Sequence, residues 1–201
     1  MQLKFKLKLK HHEKVIIGGL VGTLIYFGFQ TTMWVGGFHK NFYTHAKQQD
    51  TILEFLSRTL PAEGMYMMPM ADQNSPDFKA RQQELEKTMI GNPWAMVFFH
   101  PAITDFSMGT MIKGILFAFL TTFIAAFIMY MRKFTCFWSR FTVSMLFAVF
   151  AMLQGALAFM NWWEFPRSFI RTQIIDLTIG WGPASVWLGW FVKPREQDTL
   201  K

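Results

Sequence analysis

The sequence predicts an all-α integral membrane protein of four transmembrane helices with a small α+β cap, and three observations carry that prediction. Hydrophobic residues make up 52% of the 201 residues and charged ones only 16%, whereas soluble domains carry about a quarter charged. Four stretches, 15–35, 108–131, 141–160 and 172–192, each supply the roughly 20 mainly apolar residues that cross a hydrocarbon core about 30 Å thick. Basic residues are distributed unevenly around those stretches. Lys4, Lys6, Lys8, Lys10 and Lys14 precede the first, Arg132, Lys133 and Arg140 lie between the second and third, and Lys193, Arg195 and Lys201 follow the fourth. The connection 36–107 instead carries eight acids against six Lys or Arg. The excess of positive charge on cytoplasmic loops then places both termini in the cytoplasm and residues 36–107 outside it.

The chain divides accordingly into a basic cytoplasmic arm (1–14), a membrane bundle (15–35 and 108–192), an extracytoplasmic cap (36–107) and a cytoplasmic tail (193–201). The first span is too long for a signal peptide, and Thr32-Met33-Trp34-Val35 offers no small-residue cleavage site. In the fourth, Gly180, Gly182 and Pro183 predict a kink or break. The alternating Leu–Lys arm and the net charge of +7 read as a topology anchor on anionic headgroups rather than a nucleic-acid surface. A single cysteine, Cys136, excludes a disulfide framework and a Cys-cluster metal site.

Within the cap, Ile52, Leu53, Phe55, Leu56 and Leu60 are spaced for an amphipathic helix over 44–59. Pro61-Ala62-Glu63-Gly64 ends it, and 65–68 and 94–99 read as short strands. Between them Ser75 and Pro76 predict the start of a second helix running to about Met89. The two strands pair around that helix, in a cap too small to bury much alone and expected to lean on the membrane helices.

Together, Leu60-Pro61-x-x-Gly64-x-Tyr66-x-x-Pro69, Gly91-x-Pro93-x-Ala95-x-Val97, Asn161-Trp162-Trp163-x-Phe165 and Asp176-x-x-Ile179-Gly180-Trp181 form a pattern that resembles a group of uncharacterised bacterial four-helix inner-membrane proteins. The resemblance implies that architecture and a bacterial inner (plasma) membrane. It implies no catalytic residues.

Depth singles out four residues. Counted from the outer end of each span, Gln30, Lys113, Gln154 and Asp176 lie four to six residues in, about 6–9 Å at 1.5 Å per residue. Charges in hydrocarbon usually face the bundle interior and pair. Lys113 and Asp176 are the expected pair, the layer acting either as a clamp on bundle register or as a substrate or proton site. Met65, Met67, Met68 and Met70 with His39, His45 and His100 supply the soft ligands of a copper site, although strand alternation opposes their convergence. Methionine as gap-filler is the plainer reading. Gly18 with Gly22 and Ala151 with Gly155 have the four-residue spacing that lets helices approach closely. Trp162, Trp163, Trp181, Trp187 and Trp190 read as interface-belt and packing aromatics. Arg167 and Arg171 are expected beside Glu164 or lipid phosphate.

Motifs for a phosphate loop, a nucleophile elbow or a His-x-x-His metal site do not occur. The sequence therefore favours a non-catalytic accessory or assembly subunit of a larger inner-membrane complex, energy-transducing complexes among the candidates. Its expected partners are other integral membrane subunits and lipids, with no cofactor. The alternative is a small transporter or copper-handling protein built on the Met-rich cap and the Lys/Asp layer.

Overall fold

A computed structural model describes residues 11–103, 108–132, 134 and 136–193. Lys4, Lys6, Lys8 and Lys10 of the arm, together with Lys133, Arg195 and Lys201, lie outside the described residues. In chain order the elements are α1 (His11–Val35), α2 (Gln49–Thr59), β1 (Gly64–Met68), α3 (Phe78–Met89), β2 (Ala95–Phe99), α4 (Met108–Met131) and α5 (Phe137–Ala151). The third long helix continues through a π-helical stretch, Met152–Leu157, into α6 (Ala158–Trp163). After a turn come α7 (Arg167–Ile175), a second π stretch, Asp176–Gly180, and α8 (Trp181–Phe191). Among the described residues, those up to 44 and from 108 onward form one compact unit and those from 45 to 103 a second.

Among the described residues, three helical runs are long and apolar enough to cross a membrane: Glu13–Val35, Met108–Met131 and Phe137–Trp163. The second coincides with the predicted span, and the third runs past the predicted 141–160 at both ends. Its start is set by Cys136, whose sulfur accepts the Ser139 backbone N–H at 3.4 Å. Its end falls at Glu164, which turns left-handed at φ 47°, one residue before the Phe165-Pro166 step that excludes helix. Helix resumes at Arg167, five residues ahead of the predicted start at Thr172.

The break predicted at Gly180–Pro183 takes the form of a widened turn. Pro183 has no N–H to give to the carbonyl four residues back, and its ring crowds that carbonyl. A π-helical stretch just before a proline absorbs the mismatch without ending the helix. Thr178 Oγ1 donates to the Ile174 carbonyl at 2.6 Å, supplying a side-chain partner at the disturbed turn.

Small side chains set the packing of the bundle. Ala118, Ala125, Ala126, Ala148, Ala156 and Ala184 are buried, with Met129, Trp181, Leu188 and Val192 filling the space between them. α1 packs on α4 and α8, and α5 packs on α8. A Cβ at Gly18 would lie 2.6 Å from Val192 Cγ2, and one at Gly22 3.4 Å from Thr122, so this predicted close-packing face is realised. Its neighbour Gly19, which the four-residue spacing does not select, is tight against main chain: a Cβ there would stand 3.2 Å from Phe123 Cα. The second predicted face is not realised. Gly155 lies in the first π stretch and meets nothing within 4 Å, and Ala151 is only half-buried.

In the second unit β1 and β2 pair antiparallel, with Gly64 opposite Phe99 and Met68 opposite Ala95, the strand pairing the sequence predicts. Ala71 and Phe99 are buried there, while neither α2 nor α3 buries a residue. Asp77, rather than Ser75, stands at the N-cap position of α3. The Ser75 hydroxyl donates to the Asp77 carboxylate rather than accepting from a helix N–H.

Candidate functional site

Asp176 is the one buried carboxylate among the described residues, and its partner is His39. The chain leaves α1 through Gly36 and Gly37. Gly37 adopts φ 75°, a left-handed turn that costs side-chain-bearing residues about 1–2 kcal/mol. That turn sends the backbone back over the helix end, where the His39 N–H donates to the Met33 carbonyl at 3.3 Å. The imidazole is thereby aimed into the bundle, and Nε2 lies 2.9 Å from Asp176 Oδ1. The His39 and Asp176 side chains are only 3% and 6% exposed. A carboxylate can only accept, so Nε2 carries the proton of this bond.

Aromatic rings cover the pair. Trp34 stands edge-on to His39 with centroids 5.1 Å apart and meets Phe42 at 5.0 Å. Phe42 reaches Phe169 of α7 at 5.6 Å, and Phe169 packs on Phe165 at 4.9 Å. The segment after α1 is thus fixed to α7 by rings as well as by the His39–Asp176 bond.

The four-residue polar layer does not assemble. No hydrogen bond or ion pair among the described residues joins any two of Gln30, Lys113, Gln154 and Asp176. Gln30 Nε2 donates to Tyr26 of its own helix at 3.0 Å. Gln154 is exposed in the first π stretch. Lys113 is exposed because it lies about two and a half turns from Thr122, on the face of α4 opposite its buried stripe. Asp176 lies nine residues, about 13 Å, from the start of its helical run at Arg167. The Lys113–Asp176 pair is therefore replaced by His39–Asp176.

The proposed copper ligands are likewise dispersed in role. His39 Nε2 is taken by Asp176, and His100 Nδ1 lies 3.3 Å from Glu63 Oε2. Met65, Met67, Met68 and Met70 are exposed, with alternation along β1 turning Met65 and Met67 to one face and Met68 to the other. His45 is exposed. No group of three or more His, Cys, Asp or Glu suited to a metal occurs among the described residues.

Further polar contacts tie helix to helix. The Thr23 and Thr122 hydroxyls lie 2.8 Å apart and 2.8 and 2.9 Å from the Gly19 carbonyl, so one donates to that carbonyl while it accepts from the other. Ser144 and Ser185 hydroxyls meet at 2.8 Å, and Trp181 Nε1 donates to the Ser144 carbonyl at 2.8 Å. Trp187 Nε1 donates to the Gly18 carbonyl at 3.1 Å. Arg140, expected in a solvated basic loop, is buried. Its Nε donates to Gly189 O at 2.7 Å and its Nη1 to Phe134 O at 2.9 Å. Gly189 belongs to the last turn of α8, where carbonyls lack helical partners and a cation is favoured.

Apolar helices of membrane-crossing length, fastened by buried polar contacts, define the class: a helical membrane protein with a small α+β unit inserted between its first two long helices. Compared with protein-family models, with curated proteins and with solved structures, the chain matches none.

Proposed function

We propose that the chain is a four-span bacterial inner-membrane protein acting as a non-catalytic accessory or assembly subunit of a larger complex, energy-transducing complexes among the candidates. The observation that carries this reading is the use made of the buried ionisable groups. Asp176 and Arg140, the groups best placed for intramembrane chemistry, are both spent on holding distant parts of the chain together. Lys113 meanwhile sits on the outward face of a membrane-length helix and forms no ion pair among the described residues. A cation at that position favours a partner's carboxylate or the interface.

The run Arg167–Phe191 serves as the fourth span, about 37 Å long at 1.5 Å per residue. The Gly18–Val192 approach and the Arg140–Gly189 bond bring the start of α1, the start of α5 and the end of α8 to one end of the bundle. With the basic arm and tail, this supports both termini in the cytoplasm. The order of the Gly-x-Tyr-x-x-Pro, Asn-Trp-Trp-x-Phe and Asp-x-x-Ile-Gly-Trp motifs supports kinship with the bacterial four-helix group.

The test is to solubilise native membranes gently, isolate the tagged chain and weigh what accompanies it by native mass spectrometry. The reading predicts stoichiometric membrane subunits, partly lost in Lys113→Ala. A bare monomer or homo-oligomer overturns it. Topology is read separately from Cys136, whose thiol the Ser139 hydroxyl holds below its ordinary pKa. In intact cells Cys136 is expected to resist membrane-impermeant maleimide and to label once the cells are opened.

A further inference from the structure

The first half of the last helical run carries a second feature that the bundle contacts leave unused. Met160 of α6 and Arg167, Ile170, Arg171, Ile174 and Ile175 of α7 line an open groove of about 310 Å³. Arg167 and Arg171 are four residues apart and so share one face of α7. Both are exposed, and neither forms an ion pair among the described residues. Glu164, three residues before Arg167, engages neither of them. Alongside the guanidinium groups the groove is aliphatic, with Ile170, Ile174 and Ile175 succeeding one another over about 8 Å of helix. The first N–H groups of α7 lack helical partners and add positive potential at the same end.

From this polar-to-apolar sequence we infer that the groove binds one anionic phospholipid. Its phosphate is held by the paired guanidinium forks of Arg167 and Arg171, and an acyl chain lies along Ile174 and Met160. Arginine suits phosphate because its planar donors engage two oxygens at once. The aliphatic wall selects an amphiphile over a free anion, and the double positive charge selects a headgroup of net negative charge. The inference rests on placing the start of α7 at a membrane boundary, as in the four-span reading.

The experiment is native mass spectrometry of the full chain, with whatever subunits accompany it, titrated in mild detergent with phosphatidylglycerol. Phosphatidylcholine and inorganic phosphate serve as the comparison ligands. One phosphatidylglycerol is expected to survive detergent exchange, and the double variant Arg167→Gln/Arg171→Gln is expected to bind it about tenfold more weakly. Arg167→Lys/Arg171→Lys keeps the charge but loses the fork, and is expected to fall between wild type and the glutamine pair. This also preserves the test should the glutamine pair fail to fold. Unchanged binding in both variants overturns the site. So does equal retention of phosphatidylcholine, or displacement of the lipid by inorganic phosphate alone. Cysteines introduced as Trp162→Cys and Lys193→Cys in a Cys136→Ser background report separately whether Arg167–Phe191 crosses the membrane. Labelling of both from one side would overturn the span whatever the lipid titration shows.

Discussion

In the bundle, Thr122, Ser144 and Ser185 are fully buried and each bonds to another helix. In the 45–103 unit neither helix buries a residue, and the ion pairs Glu54–Arg58 and Asp77–Arg81 stand in solvent. The contrast follows from the surroundings. Between apolar helices in lipid there is no hydrophobic gain to drive association, so close approach over Gly and Ala and hydrogen bonds across the interface hold the helices. In water, surface ion pairs compete with solvent and contribute little. The same side-chain chemistry therefore carries weight in one unit and almost none in the other, and substitutions can be ranked by that difference.

The largest effect is expected at the buried pair. His39→Ala leaves the Asp176 carboxylate buried without its donor, and removing one partner of such a pair typically costs about 3–5 kcal/mol. Thermal unfolding in micelles should show a matching loss, with Asp176→Asn milder because it can retain an oxygen facing His39. Next comes packing. Gly19→Leu drives a side chain toward the Phe123 backbone and is expected to cost about 1–3 kcal/mol. Gly155→Leu, pointing into open space, should change stability by less than about 0.5 kcal/mol. If both behave alike, the packing account of the bundle fails.

Thr122→Val sharpens the comparison from inside the bundle. It removes the bonds to Thr23 and Gly19 at little change in shape, for an expected loss of about 0.6 kcal/mol, the average of interhelical hydrogen bonds in membranes. Arg58→Ala in the second unit should lose about 0.3–0.5 kcal/mol, measurable as faster amide exchange in α2. The smallest effect is the pH response of Asp77. The Ser75 hydroxyl, and after it Arg81, hold its carboxyl below the ordinary value. Its contribution is thus present above the usual carboxylate pKa of about 4 and is lost as pH falls through the lowered one. Amide exchange in α3 should be flat near neutrality and rise only in that acid window, after correction for intrinsic exchange rates.

Hydropathy made the long helices legible. The second span is read to the residue, and the strands at 65–68 and 94–99 follow from apolar runs bounded by Gly and Pro. The site was half legible. Asp176 stands out as an acid in an apolar run, but its partner lies 137 residues away, beyond any periodicity. Depth alone singles out Lys113, and depth says nothing about which face of a helix a residue occupies. The stripe Ala118–Thr122–Ala125–Met129 would have shown Lys113 facing away from the core. One local signal pointed to His39: Gly36-Gly37 at the end of an apolar helix marks a chain reversal, which returns the next residues to the helix they have just left. Arg140 looks like a loop charge in sequence because counting basic residues does not distinguish a solvated cation from one that caps a neighbouring helix.

The account stands or falls on Asp176 being a structural fastener bound to His39. A double-mutant cycle of His39→Ala and Asp176→Ala, read by thermal unfolding in micelles, isolates that coupling. The same cycle with Lys113→Ala in place of His39→Ala is the control. The structure predicts a coupling of about 1–3 kcal/mol for His39 with Asp176 and none for Lys113 with Asp176. Additive losses in the first cycle, or strong coupling in the second, would contradict it.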